Sequence, residues 1–411
     1  MKLKSFRLQV ILAATIAIAV ASCRKDNSTD YKYAVSGEYV MTLPVSSVNY
    51  LMNLASLEYA PIADLKQYVR MNADIYRLVY KTKAGDADIE ASGLVCVPQS
   101  PGTYPVLSFQ NGTNTLNSNA PSVYPTNPYY ELVEIIASMG YIVVIPDYPG
   151  FGSSADIPHP YLVKEPTVQS ITDMFRAVGE AAGSILPGIT VKNEYYLMGY
   201  SQGGWSTLAL HKALETEYSS EFNLKASVCG AGPYSMTNVF LGIMNSTVYN
   251  SPSYLCYIIN AYSKYGQFSN PVTDILNDKY AAMLPSLYDG TKGLNEIDDS
   301  LNDTISVLFK PAFLSGYATS DNYAVLRQSL VNNSVIAWHT YKPIFFGHGG
   351  SDTQVNVSST ETIYSAMISA GTDAGILEKV IYPGLDHGPG LLPCITDGLL
   401  YLQDLRSIGI N

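Results

Sequence analysis

From Ile75 onward, short apolar, β-branched runs alternate with longer segments whose apolar positions recur at helical spacing. Ile75–Thr82 and Ile89–Pro98 predict two early strands, joined through the turn-forming Ala84-Gly85-Asp86. Pro105–Phe109, Tyr141–Pro146, Glu194–Met198, Leu224–Cys229, Pro343–Phe346 and Lys379–Tyr382 predict further strands. Helical patterns fall between them at Tyr130–Met139, which stops at Gly140, at Thr167–Ser184 and at Trp205–Leu214. Strands alternating with helices predict an α/β fold, with a mostly parallel central sheet and helices on both faces.

After Gly230-Ala231-Gly232-Pro233 the alternation stops, and the next strand begins at Pro343, about 110 residues on, where a crossover needs about a dozen. The interval is rich in Tyr, Asn and Ser and contains apolar helical stretches at Val239–Met244 and Tyr254–Ala261. Because the sheet pattern resumes at Lys342, residues 234–341 read as a helical cap inserted over the C-terminal edge of the sheet. Residues 46–233 and 342–411 then form the core.

The N-terminus follows another logic. Lys2, Lys4 and Arg7 precede an apolar run from Leu8 to Val20, and Val20-Ala21-Ser22-Cys23 is a small-residue cleavage site. Residues 1–22 are expected to be a signal peptide, and the apolar run is short for a membrane span. The site also resembles the bacterial lipobox, which implies a diacylated Cys23 and a membrane anchor. Residues 23–45 then form a polar tether and N-terminal segment.

Composition narrows the function classes. The net charge of −11 becomes more negative once the three basic residues of the signal segment are removed. An acidic chain without basic runs argues against nucleic-acid binding. With 47% hydrophobic and 14% charged residues, the chain is globular with a large core. Cys96, Cys229, Cys256 and Cys394 allow either two bridges or four buried thiols, and no Cys-x-x-Cys spacing points to metal or redox work. The 33 tyrosines could line an amphipathic cleft, although scattered tyrosines are ordinarily half-buried packing residues.

Candidate chemistry centres on Gly199-Tyr200-Ser201-Gln202-Gly203, between a predicted strand and a predicted helix. In that context Gly-x-Ser-x-Gly forms a sharp elbow that lifts the serine hydroxyl above the sheet. The plainer reading is a helix-capping serine, so the rest of a triad has to decide. Asp352 follows the Pro343–Phe346 strand in Gly349-Gly350-Ser351-Asp352. His387 follows the last strand, on the Gly-rich loop Pro383-Gly384-Leu385-Asp386-His387-Gly388. The order Ser201, Asp352, His387 is that of Ser-Asp-His hydrolases built on such a sheet. His159, His211, His339 and His348 have weaker settings, as do Asp373 and Asp386 for the acid. The Gln202 N–H and a donor from Asn111 or Gly112 would form the oxyanion hole. Asp147 reads as a structural aspartate of its loop. This chemistry calls for no metal or organic cofactor.

The loop Asp147-Tyr148-Pro149-Gly150-Phe151-Gly152, the elbow Gly199–Gly204, and the Asp352 and Asp386-His387 motifs resemble the α/β-hydrolase superfamily. Within it they are similar to the secretory lipase family, with its Asp-Tyr-x-Gly-x-Gly loop and Gly-Tyr-Ser-Gln-Gly-Gly elbow. The resemblance spans roughly Ile75 to the C-terminus apart from the cap. It implies a Ser-Asp-His lipase or esterase that cleaves small-molecule, lipid or glycan esters through an acyl-enzyme. Two competing readings are a serine peptidase of the prolyl-oligopeptidase type and a non-catalytic surface-binding lipoprotein. The first usually carries a large N-terminal propeller, for which the segment before Ile75 is too short. The second does not account for the matching triad motifs. Oligomeric state is not encoded in any of these patterns.

Overall fold

The computed structural model describes residues 31–408, so the signal segment and the proposed acylation site Cys23 lie outside the described residues. A nine-stranded mixed sheet runs through the middle. Its strands are β1 (Ala34–Leu43), β2 (Ala73–Ala84), β3 (Ala87–Pro98), β4 (Gly102–Gln110), β5 (Ile142–Pro146), β6 (Ile189–Tyr200), β7 (Leu224–Gly230), β8 (Ile344–Gly349) and β9 (Leu377–Tyr382). They lie in the order β1-β2-β3-β5-β4-β6-β7-β8-β9. β1, β2, β3 and β5 pair antiparallel, and from β5 to β9 every neighbouring pair is parallel.

β5, β7, β8 and the C-terminal parts of β4 and β6 are buried on both faces, as their unbroken apolar runs require. Val106, Ile142, Val144 and Leu197 point into one core layer. Leu107, Val143, Ile145 and Met198 point into the other, following the two-residue period of a strand. The helices on the second face are α1 (Val45–Glu58), α2 (Ile62–Leu65), α3 (Pro128–Glu134) and, at the C-terminus, His387–Ile408. The first face is covered by α4 (Lys164–Ala181) and α5 (Gln202–Thr216).

Between β7 and β8 the chain forms α6 (Met236–Met244), α7 (Pro252–Lys264), α8 (Asp278–Leu287), α9 (Leu294–Ser300), α10 (Ile305–Leu308), α11 (Pro311–Gly316) and α12 (Ala324–Asn333). α13 (Ser358–Ser369) and α14 (His387–Ile408) complete the chain. The inserted helices share a continuous core with α4 and α5. Hydrogen bonds also tie the insertion down: Tyr257 Oη donates to Asn114 O at 3.2 Å, Tyr265 Oη to Pro158 O at 2.6 Å, and Trp205 Nε1 to Asn333 O at 2.9 Å. Tyr161 from the core stacks on Tyr257 (4.3 Å, 9°), which stacks in turn on Tyr288 (4.6 Å, 17°).

Three details differ from the sequence reading. Ala34–Leu43, placed in the N-terminal segment, is the edge strand β1. Its exposed, polar positions hide the alternation that would have marked it. The helix expected over Tyr130–Met139 is α for one stretch and tightens into a 3₁₀ turn from Ile135 to Met139, ending on Gly140 at φ 86°. His387 opens α14 and is not part of a free loop.

Candidate active site

The register of the parallel strands decides where the candidate residues meet. Gln110 pairs with Gly199, Gly199 with Cys229, Cys229 with Phe346, and Phe346 with Lys379. The segments that follow β4, β6, β8 and β9 therefore emerge at one edge of the sheet. Asn111–Thr113, Ser201, Gly350–Asp352 and His387 belong to those segments.

Ser201 sits at the turn from β6 into α5 with φ 60° and ψ −125°. A side chain in that region costs about 1–3 kcal/mol, held in place by the surrounding packing. The packing leaves no alternative at Gly203, where a Cβ would collide with the Gln110 carbonyl of β4. Ser201 N–H donates to Gly230 O at 2.9 Å, which fixes the elbow to β7.

The hydroxyl meets a histidine. His387 Nε2 lies 2.9 Å from Ser201 Oγ, and His387 Nδ1 lies 2.6 Å from Asp352 Oδ2. With Nδ1–H donating to the carboxylate, Nε2 is left as the acceptor for the serine proton. Asp352 is buried, and burial pushes its carboxyl up. Hydrogen bonds from His348 and His387, the His387 charge and the Val355 N–H outweigh burial and hold it well below the usual carboxylate range. Its other oxygen accepts from the Gln354 and Val355 amides at 2.9 and 2.8 Å.

Asn111 and Gly112 take different positions. The Asn111 side chain is buried and donates to Pro146 O at 2.6 Å, away from Ser201. Gly112 borders the site, and its ideal Cβ position lies 4.0 Å from Ser201 Cβ. The Gly112 backbone also serves the Tyr129 hydroxyl, which burial pushes well above its ordinary value. Gln202 is the first residue of α5, so its N–H has no acceptor within the helix. Asp147 is buried and accepts from Ser122 N, Ser122 Oγ and Ser92 Oγ, which makes it a structural brace for its loop.

The weaker candidates have structural settings, His339 stacking on Tyr341 with ring centroids 4.4 Å apart. Asp386 accepts from Thr353 and from the His387 N–H, which shapes the turn into α14. Asp373 caps the short turn before β9. His211 is buried between Ser227 and Thr340. The sequence reading missed two supports. His348, fully buried and four residues before the acid, places Nε2 at 3.1 Å from Asp352 Oδ2 while bonding Thr360 and Val355. Tyr200 Oη donates to His387 O at 2.8 Å. The i, i+4 spacing of His348 and Asp352 was the available signal for the first; the second joins residues 187 apart.

Two cavities of unlike character adjoin Ser201. One of about 310 Å³ is lined by Asn114, Asn119, Asn127, Tyr129, Tyr130 and Tyr254. The other, about 40 Å³, is lined by aliphatic side chains such as Leu162, Met236, Val239, Leu255 and Ile258 together with Tyr161, Tyr249, Tyr254 and Gln354. A larger groove of about 790 Å³ lies between α6 and α13 and borders Asp352 without reaching Ser201. Among the described residues, no cluster of His, Cys, Asp and Glu could hold a metal ion, and no helix is long and apolar enough to cross a membrane.

The chain is similar to known proteins in sequence family and in fold. The family model described as Secretory lipase matches residues 128–382. No curated protein matches the chain in sequence. Among solved structures, a protein of Legionella pneumophila is 24% identical, with a TM-score of 0.80 over 91% of this chain and 98% of its own. The rice cell wall degrading esterase LipA of Xanthomonas oryzae is 23% identical, with a TM-score of 0.76 over 90% and 97%. Candida antarctica lipase A in its closed state is 16% identical, with a TM-score of 0.68 over 90% and 81%. The fold is that of the α/β-hydrolases.

Proposed function

Because the chain belongs to the secretory lipase family, it is a carboxylic ester hydrolase, and we propose that it works through Ser201, His387 and Asp352. The observation that carries this reading is the continuous path from Asp352 Oδ2 through both ring nitrogens of His387 to the hydroxyl of a serine strained at φ 60°. His387 Nε2 takes the Ser201 proton as Oγ attacks the ester carbonyl carbon. The negative oxygen of the tetrahedral intermediate is held by the Gln202 N–H and a donor from the Asn111–Gly112 loop. As the intermediate collapses, His387 returns the proton to the departing alcohol oxygen. Water then gives a proton to His387 and attacks the acyl carbon, and the acid leaves as Ser201 Oγ recovers its proton.

The two cavities divide the substrate. The small apolar cavity takes the acyl side. At about 40 Å³ it is well below the ~150 Å³ that admits benzene, so it suits a short acyl group. The Asn- and Tyr-lined cavity takes a hydroxyl-rich alcohol such as glycerol or a sugar. The inserted helices serve as the cap that shapes both. Export by the signal peptide and anchoring through a diacylated Cys23 complete the reading, and intact-mass analysis of membrane fractions tests the anchor.

Ser201→Ala is expected to lower p-nitrophenyl acetate turnover by at least about 10⁴-fold with the fold intact, and a fluorophosphonate probe should label Ser201. Undiminished turnover in Ser201→Ala would sink the assignment. Across a series from acetate to decanoate, kcat/KM should fall by about tenfold or more beyond four carbons. A rise toward long chains would overturn the acyl assignment.

A further inference from the structure

His159 is buried beneath the site, and no step of the proposed reaction uses it. Its Nδ1 lies 2.8 Å from Pro149 O, a group that can only accept, so Nδ1 carries the proton. Nε2 is then an acceptor, and it faces the Gln202 side-chain amide nitrogen at 2.9 Å. Burial, only partly opposed by the Pro149 carbonyl, lowers the imidazole to about 4, so the ring stays neutral near neutral pH. Phe151, Tyr148 and Tyr257 surround it with ring centroids 5.0, 5.7 and 5.7 Å away. Gly150, at φ 93°, lets the loop backbone press onto His159; a Cβ there would stand 2.8 Å from His159 Cβ.

The Gln202 side chain is buried, and its Oε1 has no partner. An unsatisfied buried acceptor destabilises the fold, a cost that an apolar side chain of similar size would avoid. The amide makes one bond, to His159. We infer that the Asp147–Gly152 loop and His159 form a clamp on the Gln202 side chain that fixes the direction of the Gln202 backbone N–H, making His159 a positioning residue for the oxyanion hole. The inference rests on the proposed role of that N–H. It gives a purpose to Pro149 and Gly150 in a loop that the reaction itself leaves unused.

The test compares wild type with His159→Phe, His159→Gln, Gln202→Met and the double variant His159→Phe/Gln202→Met on p-nitrophenyl acetate. Active sites are titrated with a fluorophosphonate so that only folded enzyme is counted. A clamp predicts a kcat about tenfold lower in His159→Phe and in Gln202→Met, with KM within threefold of wild type. The double variant should be no more than twofold worse than either single one, because both cut the same link. His159→Gln, whose amide oxygen can again accept from Gln202, should recover at least threefold over His159→Phe. A kcat within twofold of wild type in Gln202→Met overturns the clamp, as does full additivity in the double variant. Should His159→Phe not fold, the kcat of Gln202→Met decides by itself. If wild-type Ser201 is not labelled, the functional reading itself falls. If it is labelled and the variants match wild type, only the clamp falls.

Discussion

Glu134 shows how much a single side chain can contribute unseen. It closes α3, is fully buried, and neither carboxylate oxygen has a partner. Burial, with a smaller push from Glu131, raises its pKa from 4.5 to about 8. Folding therefore takes up a proton between those values. Stability falls as pH rises across that window, by up to about 1.4 kcal/mol per pH unit, and levels off above it. Glu134→Gln removes the charge and keeps the shape. Its melting temperature should match wild type near pH 4.5 and exceed it by several degrees at pH 8–9; a constant difference across pH would refute the buried charge. Nothing in the sequence marks this position, since Glu131 and Glu134 together look like the wet face of a helix. Ser201, Asp352 and His387 were legible because each follows a strand whose apolar run is plain. His159 was not, because its partner Gln202 is brought to it by tertiary packing.

At the scale of elements, α5 links the elbow to the place where the inserted segment rejoins the sheet. Near its end Glu215 accepts from Trp338 Nε1 at 2.8 Å, Thr340 Oγ1 at 2.7 Å and Tyr341 N at 2.9 Å. Burial pushes the Glu215 carboxyl up, but bonds from His211, Thr340 and Tyr341 and the His211 charge outweigh it and hold it at about 2. Its folded pKa is depressed, so its stabilisation is present above pH 4.5 and is lost as pH falls toward 2. Glu215→Gln should cost about 1–3 kcal/mol in urea unfolding at pH 7 and almost nothing at pH 2. An equal loss at both pH values would exclude the charge as the cause. The strands that pack on both faces were readable from their continuous apolar runs. β1 was not, because an edge strand with exposed Val35 and Tyr39 lacks a buried face to write its period.

For the molecule as a whole, the centre of the sheet is covered on both sides, and the cysteines of the described residues are buried as well. Cys96, Cys229, Cys256 and Cys394 are free and buried, and burial pushes every thiol well up. Of the two sequence alternatives, bridges or buried thiols, the second describes the fold. Reductant should leave the melting temperature unchanged, and a thiol reagent should react only as fast as the protein unfolds. Rapid labelling of the native protein would contradict this burial. The strands and their alternation with helices follow from the periodicity of the chain. The path of the insertion does not, since its helices are specified by contacts with α4, α5 and one another.

The stacked rings of Tyr161, Tyr257 and Tyr288 join core and insertion in one short column. Phenols held nearly parallel at such separations couple their electronic transitions, and the coupling has a handedness. The near-ultraviolet circular dichroism of the resting protein therefore carries an intrinsic chiroptical signature of cap seating. The Tyr161–Tyr257 part of it would be lost if the insertion lifted from Tyr161, while the Tyr257–Tyr288 part, internal to the insertion, would stay, and the change can be followed without a label.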